Sequence, residues 1–171
     1  MKSKLSFLSM AAMAACTVAS AVVSSAVLSP ALATDTCRAA KVLTPEIAQS
    51  VLGGPVEVSG SGMDDTEVGK TWVSKVHYKK AAEGAKGQVG LLIRHASTKE
   101  EASNTFESSK STFKGVDVAG LGDKAYRTQT PAQLNVLKGS NWLIISAGTF
   151  SQPDTAGQEK IAKEILPKIT F

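Results

Sequence analysis

Residues 133–147 constrain the fold more than any other part of the chain. Two short runs, 133–138 and 142–147, flank Gly139-Ser140-Asn141. Turn residues at that spacing between apolar runs predict a β-hairpin. A strand wetted on one side alternates apolar and polar residues. These two do not: Leu134, Val136 and Leu137 in the first and Trp142-Leu143-Ile144-Ile145 in the second are apolar in both phases. That pattern predicts strands covered on both faces, at the middle of a sheet.

A second pair of runs reads differently. Over residues 69–80, Trp72, Ser74, Val76 and Tyr78 share one phase, and Val73, Lys75, His77 and Lys79 the other. Residues 81–86 turn the chain. Over 87–95, Val89, Leu91 and Ile93 alternate with Gly90, Leu92 and Arg94. This predicts a hairpin with one wetter face, flanking the central pair. An odd register sum sets Val76 opposite Leu91 and His77 opposite Gly90, so His77 and His95 point to opposite faces. Shorter strands are expected at 56–58 and 124–128.

Helices fall between these strands. Thr44-Pro45-Glu46 offers an N-cap, a proline at the first helical position and an acid at the positive end. Ile47, Ala48, Val51 and Leu52 form its stripe, and Gly53-Gly54-Pro55 ends it. Thr98 with Glu101 is a capping box for a second helix, with Ala102, Phe106 and Phe113 on its expected buried side and Lys114-Gly115 as its stop. Ser151-Gln152-Pro153-Asp154 opens a third, with Ala156, Ile161, Ala162, Ile165 and Leu166 as its stripe. Residues 34–42 read as a tail, and 59–65 as a polar, Gly-rich loop. The whole predicts one α+β domain over 34–171, a mainly antiparallel β-sheet with helices packed on its faces.

The first 33 residues stand apart. Met1-Lys2-Ser3-Lys4 is followed by an uncharged stretch of Ala, Val, Leu, Met and Ser that ends in Ala31-Leu32-Ala33. A short positive end, an apolar run and small residues before a cut are the layout of a secretory signal peptide. Cleavage after Ala33 is expected, giving a periplasmic or secreted protein that meets the membrane only through this leader. Two rival readings are an uncleaved anchor and a lipoprotein processed at Cys16. Of 19 basic residues, Lys2 and Lys4 lie in the leader, and 15 residues are acidic, so the remainder is near balance. Such a charge gives no warrant for nucleic-acid binding. Only Cys37 remains beyond the leader, which leaves no internal disulfide and makes a bridge between two copies the sharper use of that thiol.

No constellation here demands a reaction, and no cofactor is expected. There is no Gly-x-Ser-x-Gly elbow, and two histidines on opposite faces do not make a shared metal site. Asp64, Asp65 and Glu67 lack EF-hand spacing and read as a solvated acidic loop. Gly120-Leu121-Gly122-Asp123 leads into a strand, so a tight turn closed by Asp123 is expected and not a phosphate cradle. Trp142 is expected in the core, Trp72 near a strand end.

Several pieces resemble uncharacterised small bacterial cell-envelope proteins with a PsbP-like α/β/α sandwich. They are Cys37 before Leu43-Thr44-Pro45-Glu46, then Val51-Leu52-Gly53 with Pro55, Gly120-Leu121-Gly122-Asp123-Lys124-Ala125-Tyr126, and the strand pair at 134–138 and 142–146. The resemblance implies that sandwich fold and an envelope setting, and no catalytic residues. Some relatives carry a second cysteine where this chain reads Val76-His77-Tyr78. The expected function is a non-catalytic module binding a protein or small ligand, with Lys75, His77 and Arg94 as the contact surface. The alternatives are an envelope hydrolase with a concealed site and an assembly factor dimerising through Cys37.

Overall fold

The computed structural model describes residues 38–59, 64–68 and 71–170. The leader, Cys16 and Cys37 lie outside them. The described chain is an antiparallel sheet of eight strands with four helices. The strands are β1 (Val56–Val58), β2 (Asp64–Val68), β3 (Thr71–Lys80), β4 (Gln88–His95), β5 (Val116–Asp117), β6 (Lys124–Gln129), β7 (Ala132–Lys138) and β8 (Asn141–Gly148). The helices are α1 (Ala39–Val42), α2 (Pro45–Leu52), α3 (Lys99–Thr112) and α4 (Thr155–Ile165), followed by a 3-10 turn over Leu166–Lys168.

The order across the sheet is β1-β3-β4-β8-β7-β6-β5, and β2 shares the outer edge of β3 with β1. The two-faced hairpin is β7–β8, closed by Gly139-Ser140 alone, because Asn141 already pairs with Lys138. β8 then lies against β4, which makes β4 a central strand as well, although its sequence reads as flank. The first hairpin keeps the expected register, with Val76 opposite Leu91 and His77 opposite Gly90.

One face of the sheet is closed. Val76, Tyr78, Val89, Leu91, Ile93, Leu134, Val136, Leu143 and Ile145 are buried there beneath α1, α2 and α4. α2 starts where Thr44-Pro45-Glu46 marks it, though the Thr44 side chain bonds no helix amide. Thr44 and the Glu46 amide instead hold the Glu46 carboxyl below its ordinary pKa. α4 is capped by Asp154, which accepts from the Gly157 N–H at 2.8 Å. Its first buried turn is Gly157 and Gln158; Ala156, expected in the stripe, is exposed.

Among the described residues the other face carries α3 alone. Thr98 caps it, accepting from the Glu101 N–H at 3.1 Å. Phe106 is its anchor, meeting Tyr126 edge-on at 4.7 Å between ring centres and Trp142 at 6.1 Å. Phe113, expected on the buried side, caps the C-terminus and is 50% exposed, because Lys114 takes a positive φ and turns the chain away.

Three further expectations are corrected. The tail read at 34–42 contains a helical turn, α1, whose Ala39 and Val42 are buried. The Ala39 N–H, an orphan at the start of any helix, donates to Ser74 Oγ at 2.8 Å. That bond explains a serine on the apolar face of β3. The acidic run Asp64, Asp65 and Glu67 lies within β2, paired to Lys75, Ser74 and Trp72 of β3, and is no loop. The turn at Gly120–Asp123 is present, but its carboxylate works elsewhere. Asp123 Oδ2 accepts from the Gly139 N–H at 2.6 Å, clasping the β7–β8 turn. Gly122 has φ +59°, and a Cβ there would collide with the Leu137 carbonyl.

Candidate functional site

Antiparallel pairing lines up the residues of the α3-bearing face in three rows. The first runs Val73, Arg94, Trp142, Leu137, Lys124. The second runs Lys75, Leu92, Ile144, Asn135, Tyr126, and the third His77, Gly90, Ser146. α3 packs over the β6–β8 end of these rows. At the β3–β4 end, Val73, Lys75, His77, Leu92 and Arg94 are only half-buried. The structure therefore brings Lys75, His77 and Arg94 onto one face, in three successive rows, on the part that no helix of the described residues covers.

His77 is held down by a missing side chain. A Cβ on Gly90 would sit 2.8 Å from His77 Nε2 and 2.8 Å from Ser146 Oγ, so imidazole and hydroxyl both lean over the glycine. Burial lowers the His77 pKa below its ordinary value, and the positive charge of Lys75 lowers it further. The imidazole is therefore neutral at pH 7. A neutral imidazole beside a serine has two members of a nucleophilic triad, but the charge acting on it is a lysine and not an orienting carboxylate.

Arg94 lies over the Trp142 ring, 5.2 Å from its centre, a cation–π contact at the seam between open and covered halves. Trp142 is fixed from below: its indole N–H donates to Asn135 Oδ1 at 3.1 Å, in a buried pair. Trp142 as a whole is 6% exposed. Against this seam α3 forms a groove of about 510 Å³, lined by Arg94, Asn104, Thr105, Ser108, Thr112 and Phe113, with Trp142 as its floor. Reading single strands missed this wall. The signal was present as polar residues at 104, 105, 108 and 112, a helical spacing along one flank of the apolar stripe.

His95 stands apart from this site. It pairs across to Trp72 on the closed face, and its Nδ1 lies 2.8 Å from Asn141 Oδ1. Among the described residues no three His, Cys, Asp or Glu side chains converge to hold a metal ion. A second groove of about 400 Å³ runs between Gly120–Asp123 and the end of α4. The Lys138 ammonium there donates to the Leu166 carbonyl at 2.5 Å, a cation closing a helix C-terminus.

Fold and site together define an α+β protein with one closed and one half-open sheet face. In comparisons with known proteins, no family model matches the chain, and no curated protein or solved structure matches it significantly. No helix among the described residues is long and apolar enough to cross a membrane.

Proposed function

We propose that this chain is an exported, non-catalytic binding module of the bacterial periplasm or cell envelope. It engages a protein or small ligand through the open half of its sheet, with Lys75, His77 and Arg94 in contact. The observation that carries the reading is the asymmetry of cover: among the described residues three helices close one face, and one helix leaves half of the other bare. Arg94, at the seam of that bare half, supplies a permanent cation suited to an anionic partner. The leader and the resemblance to envelope proteins with a PsbP-like sandwich supply the compartment.

The test is native mass spectrometry of the protein recovered from its own envelope, for the wild type and for Lys75→Glu/Arg94→Glu. The expected mass begins at Thr34, and a co-purifying species disappears in the double variant. Recovery from the cytosol with Met1 attached overturns the compartment. Retention of every co-purifying species by the double variant overturns the surface.

A further inference from the structure

The groove between α3 and the sheet differs from the rest of the open face in what its walls offer. Thr105 and Thr112 spend their hydroxyl protons on α3 itself, donating to the Glu101 and Ser108 carbonyls at 2.9 Å each. Ser109 Oγ accepts from the Tyr126 hydroxyl at 2.9 Å, which leaves the Ser109 proton to give. Among the described residues, the side chains of Asn104 and Ser108 make no hydrogen bond, and no carboxylate pairs with Arg94. A guanidinium resting on an aromatic ring still carries five N–H donors. Among the described residues no acidic side chain lines the groove. Its walls thus present uncommitted donors and one permanent cation, with no opposing negative charge.

The apolar part lies further along the helix. Phe113 is half-exposed at the C-terminal end of α3, eight residues beyond Thr105, or about 12 Å at the helical rise. A groove of about 510 Å³ falls in the range of small-molecule sites. From this layout we infer that the groove binds a small organic carboxylate with an apolar body. The carboxylate docks on Arg94 and Ser108, and the body lies along Trp142 towards Phe113. The assignment rests on the open face being a binding surface, and it gives that surface a ligand class.

The experiment is a titration of isotope-labelled protein with 4-phenylbutyrate, followed by backbone amide NMR, with the uncharged 4-phenylbutyramide as control. Saturable shifts are expected at Arg94, Ser108 and Phe113. The amide should bind about 10-fold or more weakly, as should 4-phenylbutyrate to Arg94→Gln, since a charge-assisted contact is lost in each case. Ser108→Leu narrows the groove from an exposed helical position without changing charge, and is expected to abolish the shifts while the thermal midpoint is retained. Equal binding of acid and amide, or shifts outside the groove, overturns the inference. Absence of binding also overturns it; if Lys75→Glu/Arg94→Glu still loses its envelope partner, the binding face stands and only the ligand class falls.

Discussion

The two faces of one sheet have opposite characters, although the same strands build both. On the closed face, Leu143 and Ile145 are fully buried beneath α4 and its neighbours. Between them in sequence, Ile144 points the other way and is only half-buried. Burial on one side supplies the hydrophobic stabilisation. The other side needs only enough cover to dock α3 through Phe106, so it is free to leave Arg94, Lys75 and His77 at the surface. Stability and recognition are separated here by the two-residue period of a strand.

The sharpest way to break this contrast is a pair of neighbours. Leu143→Ala is expected to cost about 2–5 kcal/mol, the range for deleting a buried leucine. Ile144→Ala should cost clearly less, because part of its side chain is already in water. Urea denaturation of both variants measures the difference. Equal losses would mean that the second face is as closed as the first.

Gly90→Ala probes how the open face is held. The added methyl displaces the His77 ring and the Ser146 hydroxyl. A loss of about 1 kcal/mol is expected, at the low end for overpacking, because the tip of a side chain gives way and not backbone. His77→Ala in the same background should restore most of it. A failure of that rescue would place the strain elsewhere.

The smallest expected effect is on pH dependence. The His77 pKa is lowered in the folded protein, first by burial and then by Lys75. The unfolded chain therefore takes up the proton more readily. Stability contributed by the neutral ring is present above the ordinary histidine pKa of about 6.5 and falls as pH drops below it. The thermal midpoint of the wild type should fall more between pH 7.5 and pH 5.5 than that of His77→Gln. A proton NMR titration of the His77 ring should give a midpoint below that of a free histidine. Identical midpoint shifts in both proteins would remove His77 from the pH response.

Much of this was legible from local patterns. The odd register of the first hairpin, the Thr98 cap and the two-faced β7–β8 hairpin follow from periodicity and turn chemistry, which act over a few residues. What escaped acts over long separations. α1 reads as tail because the group that satisfies its first amide is Ser74, 35 residues later. β2 reads as an acidic loop because its strand character comes from pairing with β3. Phe113 reads as core because it continues the stripe, and the Lys114-Gly115 stop does not reveal that the turn carries its ring away from the sheet. At the candidate site, Lys75, His77 and Arg94 were each visible as polar residues in the wetter phase. The α3 wall and Ser146 became neighbours only through docking.

Alternation and capping thus settled, from the chain alone, which side chains share a face and where most helices start. The reason is that those preferences are paid within one turn or one strand pair. That β4 joins β7 and β8 inside the sheet, and how far α3 reaches across its face, was decided only when β8 paired with β4. Sheet order and helix cover depend on contacts between residues far apart in sequence, and no local pattern carries them.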